Sequence, residues 1–231
     1  MPCLRTIGNV VTGDDSQTQL VIDAGALQAL NDLISHPKKT VRKEVCWSIS
    51  NITAGSTDQI QQCLDMGVVD RLIVILLNDD SEIRKEAVWA VSNCTASANF
   101  VQYSALVEKG ILRALCSVLR MNEARVIAVA LEGIDNILKA GQEHYSHLGQ
   151  ENQFTIKLEV EGGLDILENL QQHQNVQIYQ RALKILENYF QDEDEIDFSG
   201  GQPTQTSSQT SGYLFSGPGL GSTNPKGGFQ F

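Results

Sequence analysis

Apolar residues recur at helical spacing along most of this chain, broken at short intervals by Gly, Pro or polar residues. Leu27, Leu30, Leu33 and Ile34 lie on one face of a helix and predict one over residues 26–35, stopped by His36-Pro37. A shorter helix over 17–23 precedes it and closes at Ala24-Gly25, while a longer one over 40–53 follows and closes at Ala54-Gly55. The same triplet returns as 58–66 before Gly67, then 68–77, then 81–95 with Ser81 at the N-cap position. A third triplet covers 100–140, and a more divergent one covers 154–190.

The triplets are copies of one unit. Ile7-Gly8-Asn9-Val10-Val11-Thr12-Gly13, Ile49-Ser50-Asn51-Ile52-Thr53-Ala54-Gly55, Val91-Ser92-Asn93-Cys94-Thr95-Ala96-Ser97 and Ile134-Asp135-Asn136-Ile137-Leu138-Lys139-Ala140 align, and their asparagines fall 42, 42 and 43 residues apart. A period in the forties with three helices per unit predicts an all-α, right-handed superhelical solenoid of the armadillo type. Residues 1–192 form the repeats. Residues 2–13 supply only the third helix of a first unit, so Leu4, Ile7, Val10 and Val11 are expected to face water. On that ground the chain reads as the C-terminal part of a longer solenoid. From residue 193 the composition turns acidic and then Gly/Ser-rich, which predicts a disordered tail to residue 231.

Charge narrows the function. The 231 residues carry a net charge of −11, which disfavours nucleic acid and anionic lipid and favours a basic partner. No apolar run reaches the roughly 18 residues of a membrane span. The five cysteines (Cys3, Cys46, Cys63, Cys94 and Cys116) lack any C-x-x-C spacing and read as reduced core thiols of an intracellular protein. His36, His144, His147 and His173 flank predicted helix ends or loops, with no recognisable Ser/His/Asp or Cys/His set, so neither an enzyme nor a cofactor is indicated. His144-x-x-His147 reads as a solvated loop and not a metal site.

The long third helices carry the chemistry. Val41, Val45, Ile49 and Ile52 form the core stripe of one, leaving Glu44, Trp47 and Asn51 together on another face. Ile83, Ala87 and Val91 leave Glu86, Trp89 and Asn93 in the same arrangement. An Asn carboxamide both donates and accepts, so it can hold the backbone of an extended peptide without reading its side chains. Neighbouring indoles form slots for the alkyl stems of Lys or Arg, and the carboxylates stand near the cationic tips. Asp14 and Asp15 add negative charge at one end. The next unit has Val129 and Glu132 in place of Glu and Trp, so the strong pockets are expected to end near Asn93. Arg5 holds the Trp position of the first helix and is expected to pair with Glu44.

At these residues the chain resembles the C-terminal half of importin-α (karyopherin-α), the nuclear-import adaptor family. The carriers are Ile7 to Asp15, Trp47 to Gly55, Lys85 to Asn93, Gly162-Gly163-Leu164-Asp165, Ile178-Tyr179-Gln180 and Tyr189-Phe190. The resemblance implies a minor site for basic nuclear localisation signals at Arg5, Asn9, Thr12, Gly13, Asp15, Thr18, Glu44, Trp47, Asn51, Glu86, Trp89 and Asn93. It implies that a nuclear export receptor docks on the last repeat and acidic stretch, at Tyr179, Tyr189, Phe190, Asp192, Glu193, Asp194 and Glu195. Nucleoporin contacts near the C-terminal end, and shuttling between cytoplasm and nucleus, belong to the same expectation. The basic segment that binds importin-β in that family is not among these residues. Ala96-Ser97-Ala98 departs from the glycines usual at that helix end. A competing reading is a catenin-type armadillo scaffold, but such grooves are basic, whereas Glu44, Glu86 and Asp15 make this one acidic.

Overall fold

The structure, a computed structural model, describes residues 2–190. These fold into thirteen helices: α1 (Pro2–Val10), α2 (Asp15–Asp23), α3 (Ala26–Leu33), α4 (Lys39–Thr53), α5 (Thr57–Asp65), α6 (Val68–Asn78), α7 (Ser81–Cys94), α8 (Phe100–Glu108), α9 (Ile111–Leu119), α10 (Ala124–His147), α11 (Gln153–Val160), α12 (Gly163–Leu170) and α13 (Val176–Tyr189). The predicted disordered tail, with Asp192, Glu193, Asp194 and Glu195, lies outside the described residues.

Among the described residues α1 stands alone as a third helix, three helices make each armadillo layer after it, and the third helices stack in order, α1 on α4, α4 on α7, α7 on α10 and α10 on α13. Between second and third helices runs one continuous apolar core, in which Leu27, Leu30, Ile49, Leu72, Ile83, Leu112 and Ile134 are buried. Local sequence sets the joints. Asp14, Ser56 and Asn99 each cap a short first helix by accepting the N–H of Gln17, Gln59 or Gln102, whose side chain reaches back to the cap. Those glutamines also hold layers together: Gln59 Nε2 donates to the Asp15 carbonyl at 2.8 Å, and Gln102 Nε2 to the Thr57 carbonyl at 2.9 Å. Between first and second helices Gly25, Gly67, Gly110 and Gly162 adopt φ of 71–88°, a left-handed turn that a side chain would strain.

Arg42 forms the main ion pair between layers, its Nε and Nη2 each 2.7 Å from an Asp79 oxygen. Lys39 pairs with Asp80 and Lys43 with Glu86, so the basic run at the start of α4 knits one layer to the next.

Several expectations change. Leu4 and Val11 are buried and Ile7 is packed against the core, because α1 lies on α4 and α2; Val10 is the exposed one, at 43%. Asp80, not Ser81, holds the N-cap position of α7, and its side chain makes no capping bond. The helix α10 runs on past residue 140 to His147, so the two histidines belong to its last turns. The ring of His144 stacks on Phe100 with centroids 3.5 Å apart, which removes it from the solvated loop predicted for it. Cys3 is exposed, whereas Cys46, Cys63, Cys94 and Cys116 are buried free thiols. Burial pushes Cys46 and Cys63 up to about 12, so these thiols stay protonated and unreactive.

Candidate functional site

The core stripe orients the exposed ladder. Val45, Ile49 and Ile52 of α4, and Ile83, Ala87 and Val91 of α7, are buried, while Val41 is only half-buried. Turning the helices inward on those residues leaves Glu44, Trp47, Asn51, Glu86, Trp89 and Asn93 half-buried on the third-helix surface. Neither tryptophan disappears into the interior.

Trp47 is seated by a glycine. A β-carbon at Gly8 would collide with the indole and come within 2.8 Å of its Cε3 and of Ser48 Oγ. The layers therefore approach closely where the ring lies, and it rests edge-on against the preceding third helix. Asparagines bridge the same helices: Asn51 Nδ2 donates to the Gly8 carbonyl at 3.4 Å and Asn93 Nδ2 to the Ser50 carbonyl at 2.8 Å. Asn136 donates instead to Thr95 Oγ1 at 3.1 Å. In Asn51 and Asn93 one amide N–H is thus structural, and the side chain still carries a second N–H and an acceptor oxygen.

Each indole has a resident cation. The Arg5 guanidinium lies 5.3 Å above the Trp47 ring and donates to Glu44 Oε1, the pairing expected from the sequence. Arg125, from the first turn of α10, lies 5.1 Å from the Trp89 ring. The two arginines come from opposite sides in the chain, one a layer before Trp47 and one a layer after Trp89. Nothing in the sequence pattern marked Arg125, because the equivalent positions of earlier units hold Thr40 and Glu82.

Carboxylates line the other edge. Glu44 Oε2 is buried and accepts no hydrogen bond among the described residues. Glu86 sits 3.5 Å from Lys43 Nζ, and burial raises its pKa above the ordinary carboxylate value, with Lys43 pulling the other way. At the far end Asn9, Thr12, Gly13 and Asp15 are exposed around the turn from α1 to α2. The Thr12 hydroxyl donates to the Asn9 carbonyl at 2.7 Å. Thr18 is different: it is 3% exposed and its hydroxyl turns inward to the Val11 carbonyl at 3.4 Å, so it supports this turn from beneath.

At the other end of the repeats Tyr179 is exposed, whereas Tyr189 and Phe190 are half-buried against the core. Tyr189 Oη donates to Asp135 Oδ1 at 2.9 Å. Among the described residues no three His, Cys, Asp or Glu side chains gather as metal ligands would. No described helix is long and apolar enough to cross a membrane.

A family model for armadillo/beta-catenin-like repeats matches residues 14–54 and 56–96, and one for an atypical arm repeat matches 152–204. Importin subunit alpha-1b of Oryza sativa subsp. japonica is 44% identical across the whole of this chain and 42% of its own length. Importin subunit alpha-3 of Arabidopsis thaliana is 46% identical across the whole of this chain and 43% of its own. The chain belongs to the importin-α family. It spans less than half the length of these curated importin-α relatives. Among solved structures, a designed armadillo repeat protein in complex with the peptide (KR)4 superposes with a TM-score of 0.71 at 34% identity, over 80% of this importin-α chain and 73% of that one. A second designed armadillo protein gives 0.68 at 32%, over the same shares.

Proposed function

We propose that this importin-α segment binds the basic localisation signals of cargo proteins as extended peptides along its third-helix groove. The carrying observation is the pair of Glu–Trp–Asn rungs at one spacing on adjacent layers, Glu44–Trp47–Asn51 and Glu86–Trp89–Asn93, all half-buried and facing the same surface. Stacked helices lie about 8–10 Å apart, close to three residues of extended chain, so successive rungs meet every third peptide residue. The carboxamides hold the peptide backbone. A Lys or Arg stem on an indole gains roughly 0.5–2 kcal/mol of cation–π attraction, and Glu44 and Glu86 receive its charge. Arg5 and Arg125 each stand over one of the indole rings. In this reading the ligand cation enters the slot between Trp47 and Trp89. Asn9, Thr12, Gly13 and Asp15 extend the site past Trp47, with Thr18 shaping its floor. A (KR)4 peptide bound by an armadillo relative supports the same chemistry.

The role is that of an adaptor, not an enzyme. Relatives named as importin subunits support nucleocytoplasmic shuttling. In this reading an export receptor engages the last repeat near Tyr179 and the acidic stretch that follows. Nucleoporins are further partners at that end. Titrating labelled Lys/Arg-rich and Asp/Glu-rich peptides tests the reading. It expects the basic peptide to bind more tightly. Tighter binding of the acidic one would reject it in favour of a scaffold of the catenin kind.

A further inference from the structure

The rung spacing does not stop at the indoles. In α10 it falls on Val129, Glu132 and Asn136, and in α13 on Arg181, Lys184 and Asn188. Two observations fix that last register. Ile178, Ala182, Ile185 and Leu186 are buried as Ile83, Ala87, Ala90 and Val91 are. Arg181 Nη1 reaches one layer back, 3.1 Å from the Ala128 carbonyl and 3.3 Å from Glu132 Oε2. The positions that hold Glu and Trp beside the proposed peptide site therefore hold Arg and Lys here.

These bases border a hollow of about 270 Å³ lined by Leu131, Glu132, Asp135, Arg181, Lys184 and Ile185. Its floor is apolar. Glu132 is offset by Arg181, whereas Asp135 keeps its charge and accepts from the neutral Tyr189 hydroxyl. Lys184 is exposed and makes no ion pair among the described residues. Two carboxylates and two bases thus line the hollow; Arg181 is committed to Glu132, and Lys184, with no ion pair of its own among the described residues, is the base that meets an incoming anion.

We propose that this hollow is an anion-accepting subsite for an Asp or Glu side chain carried by the same extended peptide whose basic residues occupy the indole slots. The inference rests on the groove reading above and adds a polarity reversal along it, acidic beside α4 and α7 and basic beside α13. Two layers separate Trp89 from Lys184. At about 8–10 Å per layer and roughly 3.3 Å per residue, the acidic residue lies about five or six residues from the basic one at Trp89.

The test uses the full chain and pairs of Lys/Arg peptides that differ only in Glu or Gln, placed five or six residues beyond either end of the basic core. Binding is measured by fluorescence anisotropy on the wild type and on Lys184→Glu. At one of the two placements the Glu peptide binds the wild type about two- to fivefold more tightly than its Gln partner, the scale of a partly exposed ion pair. In Lys184→Glu that ratio falls to one or below; taking the ratio cancels any change in core binding. Equal affinity of Glu and Gln peptides at both placements, or a Glu advantage that survives in Lys184→Glu, overturns the subsite. The affinity of the basic core for the wild type reads the groove separately, so a core that binds well without a Glu advantage removes the subsite and leaves the groove standing.

Discussion

Trp47 lays its indole against Gly8 of the preceding third helix, at a point where any side chain would displace the ring. The absence of a β-carbon at residue 8 is what lets α1 and α4 close up and hold the indole edge-on. Gly8→Ala is expected to destabilise the fold by about 1–3 kcal/mol through overpacking. It should also shift Trp47 away from the peptide slot. Thermal unfolding and the tryptophan emission spectrum check this together; an unchanged spectrum with unchanged stability would mean that the close approach is not a constraint.

Arg42 and Asp79 give an acid-sensitive tie between the second and third repeats. The bidentate hydrogen bonds from Arg42 hold the Asp79 carboxyl below its ordinary value. A depressed folded pKa contributes stability above the unfolded pKa of about 3.9 and loses it as pH falls through the lower folded value. Asp79→Asn should thus cost about 1–3 kcal/mol at neutral pH, since the pair is mostly buried and charge-assisted. That deficit should shrink below about pH 4. Urea unfolding of both proteins across pH 3–7 reads the difference directly.

Glu86 predicts a pH dependence of ligand binding in a different window. Burial raises its folded pKa above the ordinary carboxylate value, so part of its charge is lost while most surface carboxylates are still ionised. A cationic ligand needs the ionised form. Affinity for a Lys/Arg peptide should fall as pH drops from neutral through a midpoint above 4.5, and Glu86→Gln should flatten that curve while lowering affinity at neutral pH. Anisotropy titrations between pH 7.5 and 5 measure it, and a flat wild-type profile would contradict the role given to Glu86.

The helical repeat and its ladder were legible because both rest on periodicity. Asn51 and Asn93 stand out in sequence through their phase, and the burial of Ile49 and Val91 beside them follows from helical spacing. Close approaches were not legible. The third triplet is expected to end at residue 140, yet α10 runs on to His147 through Gly141. A β-carbon there would come within 2.7 Å of Phe154 Cδ2, so this glycine makes room for the start of α11. Thr18 was assigned to the ligand by family motif, and only the three-dimensional turn shows its hydroxyl directed to Val11. Arg125 is invisible to any repeat argument, since the equivalent positions at the starts of α4 and α7 hold Thr40 and Glu82.

The central claim is that two indoles on adjacent third helices hold a stretched cationic peptide. Isothermal calorimetry of (KR)4 with the wild type and with the Trp47→Ala/Trp89→Ala double variant tests it most directly. Removal of both rings should weaken binding by roughly 1–4 kcal/mol, counting cation–π attraction at each, with the far-ultraviolet circular dichroism unchanged. An unaltered affinity in a folded double variant would contradict the account.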